Sequence, residues 1–171
     1  MTRYAAFLRG VNIGGVNLKM VDVAAALTEA GFANVRTILA TGNVLLESPG
    51  AADAVRTRAE SALRQRFGYD AWVLVYHVDT VRAIIDAYPF EPEVDGHHSY
   101  VTLVTDPEVL DELAALPSGP DEKIARGNGV IYWQVPKNRT LDSTIGKTMG
   151  KQRYKSSTTT RNVRTLDKML R

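Results

Sequence analysis

Short apolar runs alternate with segments of helical period along this 171-residue chain, and glycine marks most of the joins. Tyr4-Ala5-Ala6-Phe7-Leu8 is apolar on both sides, the pattern of a buried strand. Behind it Met20, Val23, Ala24, Leu27 and Ala30 recur at helical spacing, and Gly31 stands where a C′ residue belongs. The start of that helix is open between a cap at Asn17 and a first residue at Met20. Residues 35–40 and 44–48 read as strands around Thr41-Gly42-Asn43, where glycine first and asparagine second suit a type II′ turn. Val55, Ala59, Ala62 and Leu63 mark an amphipathic helix over 52–67, closed by Gly68, with Arg56, Glu60 and Arg64 spaced for exposed ion pairs. Residues 72–76 form a further buried strand. The order is βαββαβ, the ferredoxin-like plan, with two helices over one face of an antiparallel sheet. In that plan we expect the hairpin turn at the end of the sheet where the first strand begins, away from the loop that follows that strand.

The second half repeats the pattern. A short helix carrying Val81, Ile84 and Ile85, capped by Asp79 or Thr80, stops at Pro89. Residues 89–98, with two prolines, one glycine and three acids, read as a linker. A strand over 99–105 leads to Asp106-Pro107, a cap followed by proline at N1. Strands at 123–125 and 130–135 flank Arg126-Gly127-Asn128-Gly129, a second hairpin, and a helix follows over about 141–149. Both halves thus read β, α, hairpin, α, a weak internal repeat. Residues 155–160 are too polar to pack and read as a mobile loop, after which Asn162 or Thr160 caps a last helix burying Val163, Leu166 and Leu170. The expected class is α+β: two ferredoxin-like units, 1–90 and 97–171, with antiparallel sheets and helices on one face.

Composition narrows the setting. No apolar run approaches the roughly 18 residues of a membrane span, and because a strand is read directly behind Met1-Thr2-Arg3 no signal peptide is expected. Cysteine is absent, which excludes disulfides and thiol catalysis and fits a cytoplasmic protein. Three histidines without cysteine speak against a transition-metal site, so no metal and no cofactor is expected. The net charge of +2 is uneven: +1 over 1–90, −6 over 91–146 and +7 over 147–171. A basic tail balancing an acidic middle accounts for this, and a basic patch for an acidic ligand is the sharper alternative.

Two stretches carry candidate chemistry. In Arg9-Gly10-Val11-Asn12-Ile13-Gly14-Gly15 the glycines leave backbone N–H groups unshielded near a helix start, and Arg9 adds a cation, the makings of an anion cradle. It matches neither G-x-x-x-x-G-K-[ST] nor G-x-G-x-x-G, and a tight turn with Arg9 paired to an acid such as Asp22 explains it equally. Arg161-Asn162 sets a cation beside a helix start, the arrangement that meets phosphate, against the alternative of an N-cap before a solvated basic face. Lys147, Lys151, Arg153 and Lys155 could track a nucleic-acid backbone, but Tyr154 alone is too few aromatics for a stacking platform. No nucleophile elbow occurs, His77, His97 and His98 lack an evident acid partner, and Glu91 and Glu93 sit in the acidic linker.

Three signatures in order, Arg9 to Gly15, then Val35-Arg36-Thr37 leading to Thr41-Gly42-Asn43-Val44, then Thr159-Thr160-Arg161-Asn162 with Thr165, together resemble the DUF1697 family of bacterial proteins along essentially the whole chain. The resemblance implies two ferredoxin-like units and, since that family has no assigned function, no activity. Thr41 stands where the family more often has serine, and Val163 where it usually has tryptophan, which removes an aromatic from the third signature. The expectation is a protein that binds a phosphate-bearing ligand, a nucleotide or other phosphate ester, through Arg9, Gly10, Asn12, Gly14, Gly15, Arg161 and Asn162. The alternatives are a metal-independent enzyme in which Arg9, Asn12 and Arg161 stabilise charge, and a nucleic-acid or protein interaction module using the basic C-terminal segment. No membrane partner is expected, and the oligomeric state stays open.

Overall fold

A computed structural model describes residues 1–9, 18–39, 42–119, 121–138, 143–149, 151, 154 and 157–170. Among them the chain forms two compact units, Met1–Val81 with the C-terminal residues from Lys168, and Arg82–Asp167. The α+β class with antiparallel four-stranded sheets is the architecture expected from the sequence.

The first unit runs β1 (Thr2–Arg9), α1 (Met20–Glu29), β2 (Ala33–Ile38), β3 (Asn43–Ser48), α2 (Ala52–Phe67) and β4 (Trp72–His77), with strand order β2-β3-β1-β4 and every pairing antiparallel. Alternation along the strands sends Tyr4, Ala6, Leu8, Val44, Leu46 and Val73 to one face, where they meet Val23 and Leu27 of α1 and Val55, Ala59 and Leu63 of α2. The other face, with Ala5, Phe7, Leu45 and Leu74, is buried as well, so these strands are apolar on both sides. Glycine ends both helices as expected: Gly31 follows α1 at φ +101°, and Gly68, at φ +65°, donates its N–H to the Arg64 carbonyl at 2.9 Å. Arg56 and Glu60 form the expected pair at 3.3 Å, whereas Arg64 turns to the backbone beyond the helix.

The second unit comprises β5 (His97–Val104), α4 (Pro107–Ala114), β6 (Lys123–Arg126), β7 (Val130–Pro136), α5 (Thr144–Met149) and β8 (Thr158–Asn162), in the order β6-β7-β5-β8. Numbered from its own first strand, this order is that of the first unit. The repeat reaches single hydrogen bonds: Leu8 N donates to Gly42 O at 2.9 Å, and Val104 N donates to Gly129 O at 3.0 Å. Asp106 caps α4 by accepting from Glu108 N at 2.9 Å, with Pro107 at its start. Val109, Leu110 and Leu113 of α4 and Ile145 of α5 cover Val104, Ile131, Trp133 and Val135.

Several expectations need correction here. The loop expected at 155–160 is in part strand β8; residues 155 and 156 lie outside the described ones, but Thr158 and Thr159 are buried and paired with β5. Their hydroxyls misled: a β-branched threonine suits a strand when its oxygen finds a partner, as Thr158 Oγ1 does in the Tyr154 carbonyl at 2.8 Å and Thr160 Oγ1 in Thr102 Oγ1 at 2.8 Å. The linker expected at 89–98 is bound into the second unit. Gln134 Nε2 donates to Glu91 O at 2.7 Å, the Tyr88 ring meets Tyr132 edge-on, and His97 and His98 already belong to β5. Between β4 and β5 runs α3 (Val78–Asp86), and the last helix is α6 (Val163–Met169), which buries Met169 where Leu170 was expected.

Candidate functional site

The register of the first sheet overturns one expectation directly. Because β3 runs antiparallel to β1, the start of β3 lies beside the end of β1: Phe7 faces Asn43, and Leu8 N bonds Gly42 O. The hairpin connection and the loop following β1 therefore leave the same end of the sheet. The start of β4 arrives there too, since Arg9 faces Trp72. That end of one unit thus carries Arg9, Gly42, Trp72 and the approach to the glycine-rich stretch. Gly10, Asn12, Gly14 and Gly15 themselves, with Asn17, lie outside the described residues. Of the two starts left open for α1, the structure shows Met20, with Lys19 at the N-cap and no side-chain cap bond.

The hairpin is not a type II′ turn on Gly42-Asn43. Ile38 faces Asn43 in the ladder, so the connection spans the four positions 39–42, of which 40 and 41 lie outside the described residues. Asn43 is a buried strand residue whose Nδ2 donates to the Ile38 carbonyl at 3.2 Å. Positive φ falls instead on Leu39 (+60°) and Gly42 (+80°). Leucine rarely occupies that region, and Leu39 is 49% exposed besides.

Arg9 is half-buried, and burial pushes its guanidinium below the ordinary arginine value while leaving it cationic. Across from it, Trp72 lies beneath the Arg64 guanidinium, whose Cζ is 5.0 Å from the ring centre. Arg64 is fixed there by donating from Nε and Nη2 to the Ala71 carbonyl at 3.1 and 2.9 Å. Just before Trp72, the Tyr69 hydroxyl is buried and bonded to nothing among the described residues, and burial raises its pKa.

Arg161 and Asn162 stand at the end of β8, in the other unit. Asn162 Oδ1 accepts from Arg164 N at 2.9 Å and so caps α6, while Arg161 Nη1 donates to Thr159 Oγ1 at 2.5 Å and Thr160 O at 2.9 Å. Tyr154 is buried, its hydroxyl on Glu112 Oε2 at 3.0 Å, and is no stacking platform. His97 Nδ1 lies 3.1 Å from Asp95 O. His98 packs against Tyr100, and desolvation, then the charges of Lys137 and Arg164, hold its pKa below the usual imidazole value. Among the described residues no group of three or more His, Asp or Glu side chains could hold a metal ion, and no helix is long and apolar enough to cross a membrane.

Comparison with known proteins adds a family. The family described as "Protein of unknown function (DUF1697)" matches residues 1–132. The chain belongs to this family. The match contains Arg9 to Gly15 and the first hairpin; the third signature, Thr159 to Asn162, lies beyond it. The DUF1697 match thus covers Met1–Val81 of the first unit and, in the second, β5, α4, β6 and the start of β7. A solved structure, "The structure of conserved bacterial protein SP0830 from Streptococcus pneumoniae", shares the fold with a TM-score of 0.82 at 22% identity, covering 99% of each chain. No curated protein matches the chain.

Signals for the missed residues were present in part. Trp72 was visible as a strand residue, but its place opposite Arg9 depends on sheet register, which pairs residues 63 positions apart. No local pattern carries that pairing.

Proposed function

We propose that this chain binds a phosphate-bearing ligand at the end of the first sheet where β1, the hairpin connection and β4 meet. Arg9 supplies the charge, and the backbone of Gly10, Gly14 and Gly15, with Asn12, supplies donors; a glycine-rich connection before a helix is the local chemistry that suits an anion. The observation that carries this reading is the register, which brings the Gly42 connection and Arg9 to one end of the sheet. Arg161 and Asn162 are left out of the contact set, because their groups serve Thr159, Thr160 and the α6 cap. Both units follow a ferredoxin-like plan on this reading, which strand orders β2-β3-β1-β4 and β6-β7-β5-β8 support. The absence of cysteine supports a cytoplasmic setting.

Thermal-shift and tryptophan-fluorescence titrations with phosphate esters at low salt test the proposal. A saturable response is expected, and Arg9→Ala should weaken it by about ten-fold or more, the scale of one charge-assisted contact. No response to any phosphate ester, or an unchanged affinity in Arg9→Ala, sinks it.

A further inference from the structure

We infer that the ligand of this end is a nucleoside phosphate, with its phosphate at Arg9 and its planar base against Trp72. The inference rests on the phosphate-ester reading above and narrows it to one chemical class. Arg9 and Trp72 are direct cross-strand partners, so their side chains leave one face of the sheet with Cβ atoms about 5 Å apart. A cation and an indole side by side match a ligand that carries charge and a flat apolar group together.

A further feature favours a base over a bare sugar phosphate. The indole is held in place, with the Arg64 guanidinium over the ring and anchored to the Ala71 carbonyl. A fixed ring loses little freedom when a base stacks on it.

The second unit serves as an internal control. It has the same strand order, and Val104 faces Thr158 as Leu8 faces Val73. The positions matching Arg9 and Trp72 there are Thr105 and Ser157, joined backbone to backbone at 2.9 Å. The fold itself therefore demands neither the cation nor the aromatic ring.

Calorimetric titration of the full chain with ADP, ribose 5-phosphate and inorganic phosphate tests this. ADP should bind about ten-fold or more tighter than ribose 5-phosphate, the contribution of one base stacked on an aromatic ring. Trp72→Leu should abolish that difference, and Trp72→Phe should keep part of it; circular dichroism melts confirm that each variant folds. ADP should also quench the wild-type emission and leave the residual Trp133 emission of Trp72→Leu untouched. Equal affinity for ADP and ribose 5-phosphate overturns the nucleoside assignment and leaves the phosphate-ester reading standing. Absence of binding by all three overturns both, and a single-stranded oligonucleotide that binds when ADP does not overturns the mononucleotide assignment.

Discussion

Tyr76 shows how one buried group links the fold to pH. Its hydroxyl is buried and bonded to nothing among the described residues, and burial pushes its pKa up to about 12, against a smaller opposing effect of Arg56. The unfolded chain releases that proton near pH 10, so above pH 10 the folded state binds more protons than the unfolded one. Tyr76 therefore contributes stability that is fully present below pH 10 and is lost as pH rises to about 12. Urea denaturation at pH 8 and pH 11 should show a smaller alkaline loss in Tyr76→Phe than in the wild type. At pH 8 the same substitution should be neutral or stabilising by up to about 1 kcal/mol, since it removes an unsatisfied hydroxyl without opening a cavity. A loss of more than that at pH 8 would mean the oxygen has a partner.

Among the elements, the helix ends and β8 make the sharpest claims. Asp106 and Asn162 each accept from a backbone N–H two residues ahead, and each loss should cost about 1 kcal/mol in Asp106→Ala and Asn162→Ala. Asn162→Ala should leave phosphate-ester affinity as it was; weakened binding in a stably folded variant would return Asn162 to the site. β8 should also be recognisable without a structure. As an edge strand paired with β5 alone, it should protect the amides that enter that ladder, whereas a mobile segment would exchange at once. The error over β8 had a physical source: threonine's hydroxyl lowers the apolar count, while its branched Cβ favours an extended backbone. Thr102 Oγ1 shows the compensation, bonding Thr160 Oγ1 and accepting from Trp133 Nε1 at 2.9 Å.

For the whole molecule, charge distinguishes the proposed ligand from a polymer. The +7 of residues 147–171 invites a polynucleotide, yet Arg164 stands 3.9 Å from a Glu93 carboxylate oxygen, and Arg161 binds within its own strand. Each phosphate engaged on a single strand contributes a slope of about −0.7 to log affinity against log salt. Binding of ADP should show the shallow slope of a few charges, and an oligonucleotide should compete no better than its nucleotide concentration explains. A steep slope with a long strand would make the basic C-terminal segment the binding surface.

What the amino-acid order determines by itself is local. Apolar period and capping chemistry locate α2 over Ala52–Phe67, the Asp106-Pro107 entry to α4 and the glycine stops at Gly31 and Gly68, because each depends on residues within a few positions. The glycine-rich stretch after β1 was likewise visible as possible anion chemistry. Only the tertiary structure decided which end of the sheet the hairpin shares with that stretch, since antiparallel pairing of β1 with β3 joins Leu8 to Gly42 across 34 positions of chain. It also decided that Arg9 faces Trp72 and that Thr158 and Thr159 are buried. Register is set by which faces must be buried at once, a condition on the whole sheet that no short window contains.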